Sequence, residues 1–69
     1  MILVFKTTVS SKAKAKKLEP HLIKNLPGIQ WNFDLSDCDK VLRVDSPANI
    51  SHRIIHLLND HGYDCSELD

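Results

Sequence analysis

Only two cysteines occur in the 69-residue chain, Cys38 and Cys65, and they form no C-x-x-C pair. Small secreted domains built on disulfides need several bridges, so a disulfide scaffold is excluded. Charge of one sign is not in excess either, because nine basic residues balance nine acidic ones. A dedicated nucleic-acid binder carries a basic surplus, and that class is set aside. No apolar run approaches the ~20 residues that a membrane span needs. The opening "MILVF" is short, and it lacks the basic start and small-residue cleavage site of a secretory leader. It reads as a first strand, and the expected location is the cytoplasm. Also missing is any grouping of nucleophile, base and orienting side chain, since the acidic residues lie scattered in turns and near the C-terminal end. A non-enzyme is expected.

What is present suits one small domain, residues 1–69. A chain of this size buries only roughly 60% of the surface its unfolded form exposes. That leaves a thin core and no room for a deep catalytic cleft. Ile2 to Phe5 forms a continuous apolar run, the pattern of a strand with neighbours on both sides. Thr7, Thr8, Ser10 and Ser11 follow and suit a helix N-cap. Ala15, Leu18, Leu22 and Leu26 recur at intervals of three and four, which predicts an amphipathic helix from about Ser11 to Leu26. Pro20 lies within it and is expected to kink it. Gly28, in "LPG", is free to take the left-handed conformation that ends the helix.

Trp31, Phe33 and Leu35 alternate with Gln30, Asn32 and Asp34, so this strand has one buried face, and its aromatics are expected to fill a sheet–helix core. "SDCD" turns the chain, and "KVLRV" returns as a second strand with Leu42 and Val44 on one face. "DSPAN" is read as the opening of a second helix, capped by Ser46 or Asn49, with Ile50, Ile54, Leu57, Leu58 and His61 on one face. Tyr63 to Leu68 is expected as a short last strand. The order β-α-β-β-α-β predicts an α+β fold of the ferredoxin-like kind. It has a four-stranded antiparallel sheet in spatial order 4-1-3-2 with two helices on one face. Such a sandwich gathers Ser10 to Lys14, Asp37 to Asp39 and His61 to Tyr63 at one end.

In this order and spacing the chain resembles the heavy-metal-associated domain of copper chaperones and metal-transporting ATPases. The resemblance covers essentially the whole chain. It rests on "LPGI" between the first helix and second strand, on "KVLRV", and on "IIHLLNDHGY" at the end of the second helix. "FKTTV", "LEPHL" and "WNFD" are similar to small free-standing members. In that family a C-x-x-C at the start of the first helix holds a soft ion through two thiolates. Anchored on Phe5, Leu18, Pro20 and Leu22, the two ligand positions fall on Ser11 and Lys14; anchored on the strand alone, they fall on Val9 and Lys12. Neither register contains a thiol. Soft metals select sulfur over oxygen, and a protonated lysine repels cations. The resemblance therefore implies the fold without the metal: a degenerate member with no cofactor, whose vacated loop serves as a binding or adaptor surface.

The residues assigned to that surface are Ser10, Ser11, Lys12, Lys14, Lys16 and Lys17. Lysines at a helix N-terminus oppose the helix dipole by roughly 0.3–1 kcal/mol each when exposed. In the family, basic surface around the loop docks acidic domains, so the expected partner is a protein with an acidic patch, without nucleic acid or membrane. Asp34, Asp37 and Asp39 would make the hairpin end acidic. The chain is then expected as a monomer or a weakly self-associating species. Three rival readings stand beside this one. Cys38 and His61 could form a replacement site for a soft or borderline ion, Cu(I) or Zn; the plainer reading is an exposed turn cysteine and a partly buried helix-end histidine. His52 and His56, four apart, could chelate an ion from the solvent face of the second helix. An anion- or small-ligand-binding regulatory module is the third. Cys65 reads as a small packed side chain.

Overall fold

Three strands contribute apolar side chains to one face of the sheet, and that face is the covered one. The computed structural model describes residues 1–36 and 38–68. Its elements are β1 (Ile2–Thr7), α1 (Lys12–Asn25), β2 (Gln30–Asp34), β3 (Val41–Asp45), α2 (Ser51–Asp60) and β4 (Cys65–Glu67). All strand pairs are antiparallel: β1 with β3, β1 with β4, and β2 with β3. The sheet order is β2-β3-β1-β4, which reads 4-1-3-2 from the β4 edge.

The register places Leu3 opposite Val44 and Phe5 opposite Leu42. Across β2 and β3 it places Trp31 opposite Val44 and Phe33 opposite Leu42. These side chains therefore share one face. Leu3, Phe5, Leu42 and Val44 pack with Ala15, Leu18, Leu22 and Leu26 from α1's stripe and with Ile54 and Leu58 of α2. Both helices thus cover the same face. Phe5 is completely buried, a burial that contributes roughly 1.5–3 kcal/mol. On the opposite face Ile2, Lys6, Asn32, Arg43 and Asp45 are exposed.

Ser11 caps α1, its hydroxyl accepting the Lys14 N–H at 3.2 Å. At the other end the Leu26 N–H donates to the Leu22 carbonyl at 2.8 Å. Gly28, with φ of +75°, then turns the chain into β2. The helix continues as one element through Pro20, although a proline leaves the Lys16 carbonyl without its helical donor.

Two sequence expectations are corrected. α2 does not open at "DSPAN". The buried Ser46 hydroxyl instead donates to the Ala48 carbonyl at 2.7 Å and accepts the Ala48 N–H at 3.2 Å. The Asn49 side chain accepts from the Ser51 N–H at 3.0 Å and from the Ser51 hydroxyl at 2.7 Å. Polar side chains that satisfy nearby backbone compete with the helix, so it starts only at Ser51, and Ile50 at the N-cap makes no side-chain cap bond. β4 is likewise shorter than Tyr63–Leu68. The Tyr63 N–H still donates to the Leu58 carbonyl at 2.9 Å, tying it to the helix end.

Candidate functional site

The end of the sheet at which β1 stops is assembled around Thr7 and Thr8. The Thr7 N–H donates to the Asp39 carbonyl at 3.2 Å, and its hydroxyl donates to the Lys40 carbonyl at 2.7 Å. The same hydroxyl accepts the Val9 N–H at 3.2 Å. On the other side, the Thr8 N–H donates to the Asp64 carbonyl at 3.1 Å. The β1–α1 loop is therefore pinned between the β2–β3 turn and the α2–β4 loop, so the three do share one end. Val9 anchors the loop from beneath and is completely buried.

At the helix junction the Ser11 and Lys14 positions adjoin through the cap bond. Lys14 Nζ folds back to donate to the Ser10 hydroxyl at 3.1 Å. In the other register Val9 points into the core while Lys12 is exposed. Lys12, Lys14, Lys16 and Lys17 are all exposed. The first turn of α1 has no acidic residue, and none of the four lysines forms an ion pair among the described residues. The acidic side of this end differs. Asp39 is paired with Lys6 at 3.8 Å. Asp34 is paired with Arg43 at 3.5 Å and accepts the Ser36 hydroxyl at 2.7 Å. Chiefly that hydroxyl bond, with help from Arg43 and against partial desolvation, holds the Asp34 carboxyl below the usual carboxylate range. Asp37 lies outside the described residues. Among the described residues the four lysines thus meet no acidic partner, while Asp34 and Asp39 are matched within the chain.

Cys38 is exposed on the turn. Cys65 is half-buried in β4, and burial pushes its thiol up to about 12, so it stays protonated at neutral pH. His61 is corrected from its expected place on the buried face of α2. It is exposed at the helix end, and its ring packs against that of His21 on α1, with centroids 4.1 Å apart. His52 and His56 are exposed; the His56 Nδ1 approaches the Asp60 carboxylate at 3.9 Å. Among the described residues no group of three or more His, Cys, Asp or Glu side chains is placed to hold a metal ion. No helix among the described residues is long and apolar enough to cross a membrane.

One feature of the surface is absent from the sequence reading. An open groove of about 670 Å³ runs between α1 and the β2 edge, with Trp31, Phe33 and Leu35 as its floor and Lys12, Lys16 and Glu19 along its helix wall. Trp31 and Phe33 are only half-buried, so they reach the core without being enclosed by it. The 12, 16, 19 spacing marks one stripe of α1 beside its apolar stripe, and that was the available signal. No protein-family model, curated protein or solved structure matches the chain.

Proposed function

We propose that this chain is a non-catalytic interaction module, a ferredoxin-like domain similar to a heavy-metal-associated domain that lacks its thiolate pair. It would act in the cytoplasm, docking an acidic protein surface through Ser10, Ser11, Lys12, Lys14, Lys16 and Lys17. The observation that carries this reading is the lysine cluster at the start of α1, with no acidic residue in the first turn and, among the described residues, no ion pair to any of the four. Lys12 and Lys14, in the first turn, sit against the helix dipole at a small cost. An acidic partner would offset that cost and gain charge-assisted contacts. The vacated positions carry a hydroxyl already used as a cap and an ammonium group held by Ser10, a donor set with no affinity for soft metals.

Backbone amide shifts of the reduced protein give the test. A glutamate-rich peptide is expected to move residues 10–17, with an effect that fades as salt is raised. Cu(I), Zn(II) and Cd(II) are expected to leave those residues in place. Tight metal binding that moves residues 8–14, 38–39 or 61–63 would overturn the proposal in favour of a metallochaperone with a non-standard site. The alignment of the loop has its own check. Ser11→Cys with Lys14→Cys is expected to create Cu(I) binding, and a folded double variant that binds none would show that the register is misplaced.

A further inference from the structure

We propose that two copies of the chain join through their β2 strands into one continuous eight-stranded sheet with two-fold symmetry. β2 lies at the edge of the sheet, with β3 on one side and, among the described residues, no strand on the other. Edge strands expose unpaired backbone N–H and C=O groups, and natural proteins usually guard them with proline, lysine or shortness. The opposite edge, β4, is guarded by shortness, at three residues. β2 has five residues, QWNFD, with no proline and no lysine.

The occupant is a second copy because the edge complements itself. When β2 is laid antiparallel on its copy about Asn32, Trp31 stands opposite Phe33 of the second copy, twice, and Gln30 opposite Asp34, twice. This register pairs the whole strand. A slip of one residue would set the aromatic face against the polar face. In the aligned register both aromatic pairs lie on the helix-covered side, where Trp31 and Phe33 are half-buried in the groove. Cross-strand aromatic pairs are stabilising, and these would extend the core across the junction.

Charge agrees with the same two-fold axis. α1 ends where β2 begins, so Glu19 lies toward the Gln30 end of the strand and borders Gln30 and Trp31. Lys16, about one turn earlier, lies toward the Asp34 end. Reversing the second copy brings Lys16 of one copy toward Glu19 of the other, twice. Neither residue forms an ion pair among the described residues of its own chain. An isologous contact of this kind is the commonest way for a soluble chain to dimerise. Its axis runs through the sheet, so the two β1–α1 ends would point in opposite directions and could engage two partners at once.

Sedimentation velocity of the reduced chain over a concentration series provides the test. A reversible monomer–dimer equilibrium is expected. Lys16→Glu and Glu19→Lys are each expected to weaken the dimer by about tenfold, because each turns two attractive contacts into repulsive ones. The double variant restores the attraction with the signs exchanged and is expected to return to near the original affinity. Both positions are exposed on α1, and circular dichroism checks that the fold is kept. In a Cys38→Ser chain, Asn32→Cys is expected to oxidise to a linked dimer, since residues on the axis stand about 4.5–5.5 Å apart between Cα atoms. A chain that stays monomeric at millimolar concentration sinks the proposal. So does a dimer indifferent to the two charge changes, or β2 amides that gain protection only when a foreign peptide is added.

Discussion

Thr8 and Asp64 hold each other across 56 positions of sequence: the Thr8 N–H donates to the Asp64 carbonyl at 3.1 Å, and the Asp64 N–H donates to the Thr8 hydroxyl at 2.9 Å. The pair fastens the loop after β1 to the loop before β4. Thr8→Ala removes one of the two bonds and is expected to cost about 1 kcal/mol. Hydrogen exchange should show where the loss falls. The Asp64 and Ser66 amides are expected to exchange faster, with the Ile54 amide following only the global change. Unchanged exchange at Asp64 would mean that the hydroxyl contact adds nothing.

Pro20 stands in the middle of α1 and is exposed. Pro20→Ala restores one helical hydrogen bond and a better helix former. A gain of about 1–3 kcal/mol is expected in urea unfolding. A loss would show that the ring shapes the helix for a purpose the packing does not reveal.

The two thiols should behave differently. Cys38 is exposed, whereas burial raises Cys65 from an ordinary 9.0 to about 12. At pH 8 an alkylating reagent is expected to modify Cys38 well before Cys65, as mass spectrometry can follow. The raised value also sets a sign for stability. The folded state keeps the Cys65 proton where the unfolded chain loses it. This contribution is full below about pH 9 and is lost progressively as pH rises toward about 12. Cys65→Ala is expected to flatten that alkaline fall; an equally steep fall would assign it to other groups.

Asp34 has the opposite sign. Its carboxyl is lowered from 3.8, first by the Ser36 hydroxyl. Its contribution is present above the unfolded value and is lost as pH falls through the folded one. Ser36→Ala is expected to bring the Asp34 titration back toward 3.8 when followed by carboxyl NMR shifts. No movement would mean that Arg43 and the Ser36 backbone N–H hold the charge without the hydroxyl.

Much of this structure is legible along the chain. The stripe Ala15, Leu18, Leu22, Leu26 specifies a helix because 3.6-residue periodicity is a local property, and the same four residues are buried in the core. The alternation of Trp31 and Phe33 with Gln30 and Asn32 specifies a strand in the same way. Less legible were the start of α2 and the length of β4. "DSPAN" carries good cap residues, but Ser46 and Asn49 spend their hydrogen bonds within a turn, and only the competition between local bonds reveals that. His61 carried the periodicity of a buried position, yet it lies past the last turn, beside His21.

The order of the elements, the apolar face of each and the absence of a thiolate pair after β1 are readable along the chain, because they depend on residue type and near neighbours. Which charges are matched and which edge is open depends on how the elements pack together. Lys6 finds Asp39 across the sheet end and Arg43 finds Asp34 across two strands, while among the described residues the lysines of α1 find no acid. β2, and not a longer β4, becomes the full-length exposed edge. Such pairings join residues distant in sequence, and no local pattern encodes them.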